Sequence, residues 1–281
     1  LSLTPGDPVR MMLGESATPE AQEALQEEMG LNDPLLVQYG RYMKNIIVHQ
    51  DLGTSYTTQR PVLGEILNVF PNTVTLAVAA VIIAIVVGIF LGIISAVKQN
   101  SLQDNIVMVL ALIGTSAPIF WIGILMILLF SVQLGWFPPS GFGSFKQLIM
   151  PAIALGLQST AVVARMTRSS VLEVIRQDFV KTARAKGQKE IVVIVKHVFR
   201  NALIPIITVV GLQFGTLLGG AMLTEIVFSI PGVGRLMIDA IKQRDFPIVQ
   251  GSVLFVAACF SLVHLAVDLL YAVVDPKVSK E

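Results

Sequence analysis

Five stretches of this chain contain no Asp, Glu, Lys or Arg: residues 72–97, 105–135, 147–164, 201–224 and 246–267. A bilayer core is crossed by about 20 mostly apolar residues in helical form. Backbone polar groups find no water there, so helices or closed barrels are the only spanning forms. No alternating pattern of the barrel kind runs through these stretches, and they predict five membrane helices. The third is short, with Arg165 and Arg168 placed to extend their charged heads out of its end. Residues 169–186 space apolar positions between Arg176, Lys181 and Arg184, as a helix lying on a membrane surface would. Gly187 then offers a break, and a second apolar segment, 190–199, leads back into the membrane.

Composition strengthens the membrane reading. Hydrophobic residues make up 54% and charged residues 14% of 281 positions, with a mean hydropathy of +0.73. Soluble domains carry about 25% charge. The one cysteine, Cys259, lies in an apolar run, and His49, His197 and His264 are far apart, so no CxxC or HExxH metal pattern exists. The ten methionines form no cluster with His or Cys.

The formal net charge of +1 hides a strong asymmetry. Nine Lys or Arg residues fall between 165 and 200. If loop 98–104, this island and the tail 275–281 share a side, that side holds twelve basic residues against six acids. The other holds eight basic residues and twelve acids. The excess of positive charge marks the first side as cytoplasmic. Residues 1–71 and the loops 136–146 and 225–245 then face outward. Either that start does not face outward or a leading helix lies ahead of Leu1, and the second is the expectation.

Small residues Thr182, Ala183 and Ala185 gather beside Gly187. Small side chains let another protein approach the backbone, so this corner reads as a docking surface. Among the acids, Asp268 is four residues after His264, on the same helix face and near the cytoplasmic end. It is open to a functional role within a span or to a structural one, pairing with the island's arginines. Gln213, between Gly211 and Gly215, either faces a solute path or joins helices among small residues. Pro118, Pro151 and Pro205 sit in or beside spans and predict kinks. The outward loop carries "SIPGVGRLMIDAI", turn signals followed by an amphipathic stretch. Its Glu225, Arg235, Asp239 and Arg244, beside apolar neighbours, have the mixed character of a transient interface with an external protein.

The segment "TARAKG" at 182–187, followed by "HVFRNALIP" at 197–205, resembles the EAA loop of ABC-transporter permeases. Aligned on Gly187, only Ala183 and the glycine match the general motif. The match to the version found in dipeptide, oligopeptide, glutathione and nickel permeases is close. "PGDP" at 5–8, "GLNDPLLVQY" at 30–39, "DLGTSY" at 51–56 and "PNTVTL" at 71–76 are similar to the same group. So are "ARMTRSSVLEV" at 164–174, "GLQFGTLLGGA" at 211–221, "TEIVFSIPGVGRL" at 224–236, "RDFPIVQG" at 244–251 and "DLLYAVVDP" at 268–276.

The resemblance covers the whole chain and implies an all-α polytopic bundle of the type I ABC importer kind. It implies the B-type permease subunit, with five spans here and a sixth in the intact subunit before "PGDP". The implied organisation is an extracytoplasmic segment 1–71, a transmembrane domain 72–275 with a coupling loop 165–200, and a cytoplasmic tail 276–281. Lys181, Thr182, Ala183, Arg184, Ala185, Lys186 and Gly187 then form the ATPase-coupling element. The implied partners are a homologous second permease, two ATPase subunits or domains, an extracytoplasmic solute-binding protein and membrane lipid, in a bacterial or archaeal inner membrane. No phosphate-binding G-x-x-x-x-G-K-[ST] loop occurs in the chain. ATP and Mg would therefore be bound by the ATPase partners, the chain itself carrying no cofactor and catalysing no reaction. The solute would be a peptide or a related small molecule, glutathione and nickel included. A self-sufficient channel or ion-coupled carrier is the alternative; it calls for inverted repeats or buried ionisable pairs at mid-membrane, and the first four spans contain no charge. An intramembrane enzyme would need a nucleophile placed with His264 and Asp268, and none is evident.

Overall fold

A computed structural model describes residues 9, 13, 18–28 and 30–274. The "PGDP" stretch and the tail 276–281 lie outside the described residues. All the extended elements are helices: α1 (Pro19–Glu28), α2 (Leu35–Lys44, continued by a π-helical turn, Asn45–His49), α3 (Val62–Val97) and α4 (Leu102–Ser116). Then follow α5 (Ile119–Met126, with a π-helical turn Ile127–Gln133), α6 (Phe145–Ile175) and α7 (Asp178–Ala185). Next comes α8 (Glu190–Val227), which includes a π-helical stretch at Val193–Phe199. The last two are α9 (Val233–Gln243) and α10 (Phe246–Val274).

Four of these, α3, α6, α8 and α10, are long and apolar enough to cross a membrane. The charge-free run 105–135, expected to be a single span, is instead α4 and α5 meeting at 105°. Pro118 explains the break. It has no N–H to donate into the preceding turn, and it pushes Ala117 out of the helical region, to φ −79° and ψ 133°. Counted together, this bent pair supplies the fifth span. Pro151 and Pro205 stay inside continuous helices.

The chain divides into two compact units, one of Leu1–Pro71 with Gly232–Phe255, the other of Asn72–Pro231 with Val256–Glu281. Among the helices long and apolar enough to cross a membrane, α6 is the most buried. Its start is fixed by a reciprocal cap: Gln147 N–H donates to Ser144 Oγ at 3.4 Å, and Ser144 N–H donates to Gln147 Oε1 at 3.1 Å. Helices α3 and α6 lie with their backbones almost touching. A Cβ added to Gly156 would stand 2.7 Å from the Ala80 carbonyl oxygen, and one on Gly92 would stand 2.6 Å from that of Ala164. Small residues allow this approach where no hydrophobic force distinguishes helix from lipid.

Two buried clusters lie along α6. One gathers Leu76, Ala80, Met150, Leu155, Leu218 and Phe228. The other gathers Ala96, Val171, Val174, Val180, Val193 and Ile206. Leu155 and Val171 are separated by about 24 Å of helix. At the first end, Gly141 N–H donates to Phe228 O at 2.9 Å, joining the loop after α5 to the end of α8. At the second end, Arg176 donates to Gln99 Oε1 at 3.1 Å, joining the loop after α3 to the end of α6. Helices α8 and α10 run antiparallel, with Gly211 against Val267 and Gly215 against His264. The last turns of α10 therefore lead toward the end that carries loop 98–101. Loop 98–101 and the start of the basic island thus lie at one end of the bundle, while the tail 275–281 lies outside the described residues.

In the other unit, residues 51–61 fold back on themselves: Val62 N–H donates to Gly53 O, and Ser55 N–H to Arg60 O, both at 2.9 Å. Asp245, in the loop 225–245 expected to face outward, is 2% exposed. It accepts from Ser55 Oγ at 2.5 Å and from the Tyr56 and Thr57 N–H groups at 3.2 Å. Burial, with this carboxylate nearby, pushes the Tyr56 phenol up. Phe70 and Phe255 meet edge to face at 4.9 Å.

Candidate coupling corner and its ion pair

Helix α6 does not stop at Ala164. Its polar positions Arg165, Arg168 and Glu173 continue it to Ile175, so the expected surface helix over 169–186 is shortened to α7. Gln177 N–H donates back to Val174 O, and Val180 N–H to Gln177 O, closing a two-residue turn between α6 and α7. In α7, Val180 and Ala183 are three apart, hence on one face, and they are 0% and 7% exposed. That face packs into the cluster with Val171, Val174, Val193 and Val198. The expectation that all of 182–186 is exposed therefore fails at Ala183, which is a core residue. Lys181, Thr182, Arg184, Ala185, Lys186 and Gly187 are exposed.

Gly187 has φ +74°, the left-handed conformation the sequence predicts for a helix-ending glycine. A Cβ there would meet nothing within 4 Å, so only the backbone demands glycine. The turn is pinned on both sides. Arg184 donates through Nε and Nη2 to Glu190 at 3.1 and 2.6 Å. His197 Nε2 lies 2.8 Å from Gln188 Oε1, and Asn201 Nδ2 donates to His197 O at 2.6 Å. Of the two motif residues, His197 holds α8 to the turn, while Asn201 bonds back one turn within α8. Lys181 Nζ stands 2.9 Å from Asp178 Oδ1, and its ammonium holds that carboxyl below the usual carboxylate range.

One constellation at this end was not foreseen from the sequence. Asp104, 2% exposed in the first turn of α4, accepts both forks of Arg168: Nε to Oδ1 at 2.7 Å and Nη2 to Oδ2 at 2.8 Å. It also accepts from Ser95 Oγ and, at 2.9 Å, from the Asn100 N–H. Asn100 reaches it through a left-handed φ of +63°. The sequence signal was misleading, because Ser101 caps α4 through the Asp104 N–H and makes Asp104 look like an ordinary first-turn acid.

The remaining candidates are scattered. Gln213 donates to Ser159 Oγ at 3.0 Å, an interhelical bond between α8 and α6. Glu225 is fully buried and accepts from Thr73 Oγ1 at 2.7 Å, so it is not a surface contact for an external protein. Arg235 and Asp239 are about half exposed along α9, 3.7 Å apart, and Arg244 is exposed at its left-handed end. Asp268 is exposed, and among the described residues no arginine of the island pairs with it; Asp104 takes that role. His264 stacks on Phe260 with ring centroids 4.1 Å apart. Among the described residues, no three His, Cys, Asp or Glu side chains converge as a metal site.

The described residues thus form an all-helical bundle with apolar spans and a charged corner at one end. The family described as "Binding-protein-dependent transport system inner membrane component" matches residues 88–280, and the corresponding N-terminal family matches residues 1–77. The chain belongs to this family of inner-membrane permeases. It is similar to the dipeptide transport system permease protein of Alkalihalophilus pseudofirmus, at 45% identity over 99% of this chain and 92% of that one. The di/tripeptide permease of Pseudomonas aeruginosa is also 45% identical, over 99% and 91%. The glutathione permease of Pectobacterium atrosepticum is 44% identical, over 98% and 90%. In fold, a chain of the inward-facing methionine ABC transporter MetNI superposes with a TM-score of 0.64 at 18% identity, covering 76% of this chain and 97% of that one. The protein is thus a permease subunit of a binding-protein-dependent ABC importer. ATP is handled by a separate ATPase, and a solute-binding protein delivers the cargo.

Proposed function

We propose that this subunit imports short peptides or peptide-like solutes such as glutathione, in partnership with a second, homologous permease. The exposed edge of Lys181, Thr182, Arg184, Ala185, Lys186 and Gly187 is the surface that meets the ATPase, with Ala183 beneath it as the anchor. The observation that carries this reading is the left-handed turn at Gly187. It exposes a short helix at the basic end of the bundle while that helix stays seated in the core through Val180 and Ala183. The basic excess puts that end, and with it the C-terminus, in the cytoplasm. Residues 1–71 are then an extracytoplasmic segment, 72–275 the transmembrane domain and 276–281 a tail. On the outer side, Arg235, Asp239 and Arg244 offer mixed charge to the solute-binding protein. The likeness to dipeptide, di/tripeptide and glutathione permeases supports the choice of solute class.

The test is ATP-dependent uptake of a labelled dipeptide into proteoliposomes holding this chain, its permease and ATPase partners and the binding protein. Uptake is expected only with all components and ATP, with other short peptides or glutathione competing. Uptake by this subunit alone, or indifference to every peptide competitor, contradicts the proposal.

A further inference from the structure

We propose that the Arg168–Asp104 pair is the rigid link through which a displacement of α7 reaches the bent helices α4 and α5. The proposal rests on reading α7 as the ATPase contact. Helix α7 and the last turns of α6 form one body, joined by a two-residue turn and a shared core of Val171, Val174, Val180 and Ala183. The question is how motion of that body passes to its neighbours.

Along most of their length, α4 and α6 touch through small or apolar groups. Gly114 faces Ala161 and Leu157, with an added Cβ 3.4 to 3.7 Å from their atoms, and Val107 and Ala111 are buried on the same face. These contacts carry no directed bond between the two helices, so they fix register less firmly than a hydrogen-bonded pair does. The Arg168 fork is different. Two charge-assisted bonds of 2.7 and 2.8 Å fix both distance and angle. Ser95 and the Asn100 N–H hold the Asp104 carboxylate from its other side, so the acid cannot turn to follow a displaced arginine. One carboxylate thereby ties the end of α3, the loop after it, the start of α4 and the end of α6. Asp104 also stands at the far end of α4 from the 105° break at Ala117–Pro118. A push delivered at Asp104 acts on the whole length of α4 and is felt at that bend.

Arg168→Lys separates this role from mere stability. Lysine keeps the charge and one bond but loses the planar fork. In the assembled, reconstituted transporter with Cys259→Ser, spin labels on Gln177→Cys and Ile113→Cys report the spacing between the α6–α7 body and α4. With Arg168 present, ATP and ATPase are expected to change the environment of the label at 177 while the 177–113 distance stays constant. With Arg168→Lys, the same nucleotide step should shift or broaden that distance, and solute imported per ATP should fall several-fold while the complex still assembles. A constant distance and normal uptake per ATP in Arg168→Lys would overturn the link alone. A label at 177 that ignores ATPase and nucleotide even with Arg168 present would overturn the coupling reading beneath it, and the link with it. Arg168→Gln, which strands a buried carboxylate, is the harsher variant and should both uncouple and destabilise.

Discussion

The two halves of α6 are built on different principles. In the first, Met150, Ala152, Ala154, Leu155 and Gly156 are buried against apolar or small residues, and Gly156 brings two backbones together. In the second, Arg168 and Arg176 reach out to Asp104 and Gln99 across the helix boundary. Shape holds the first half, and it fixes proximity. The second half shares such shape, through Gly92 against Ala164 and the cluster at Val171 and Val174, and adds direction, which fixes register. A permease needs both, because its helices must stay together in lipid while one end takes up an external displacement.

The largest effect is expected from removing direction. Asp104→Ala leaves the half-buried Arg168 without its partner and strips the acceptor from Ser95 and the Asn100 N–H. Breaking a buried pair costs about 3–5 kcal/mol, seen as a marked drop in thermal unfolding temperature in detergent. A drop equivalent to less than about 1 kcal/mol would place the pair among the weak surface ion pairs and erase the contrast between the halves.

Removing shape should cost somewhat less. Gly156→Val presses a side chain onto the Ala80 backbone, which cannot move aside like a flexible side chain, and should cost about 1–3 kcal/mol. Gly114→Ala, whose new methyl would meet Ala161 at ordinary contact distance, serves as the control and should change unfolding little. If both behave alike, close backbone approach is not what holds α3 to α6.

How much of this was legible beforehand depends on the range of the interaction. The spans and the bend at Gly187 are local: charge-free runs and a glycine beside a short amphipathic segment suffice. Even so, the run 105–135 concealed a bend. Hydropathy is blind to direction, and only Pro118 marked the place. The Arg168–Asp104 pair joins positions 64 apart in the sequence, and no local pattern reveals such a partner. Glu225 and Asp245 read as outward charges for a transient partner, yet each is buried with hydroxyl or N–H donors supplied by Thr73 and by Ser55–Thr57. Ala183 looked like part of an exposed small-residue patch, but the three-residue spacing from Val180 turns it inward.

Gly187→Val sharpens the comparison at the coupling corner, where stability and function should part. A β-branched residue at φ +74° is strained by about 1–2 kcal/mol, with no steric clash to add. Insertion and folding should survive, while ATP-driven uptake fails and stimulation of the ATPase is lost. Normal uptake and stimulation would remove the turn from the mechanism. The smallest effect belongs to Arg184→Gln. Its bond to Glu190 lies in solvent, and such pairs contribute about 0–1 kcal/mol, so unfolding should barely move.

The most direct measurement is site-specific crosslinking in the assembled transporter carrying Cys259→Ser. A cysteine at Lys186 and, separately, one at Asp239 are each offered a short crosslinker, with the ATPase and the solute-binding protein both present. Lys186→Cys is expected to join the ATPase subunit, and Asp239→Cys the solute-binding protein. Capture of the ATPase by Asp239→Cys, with none by Lys186→Cys, would contradict both assignments.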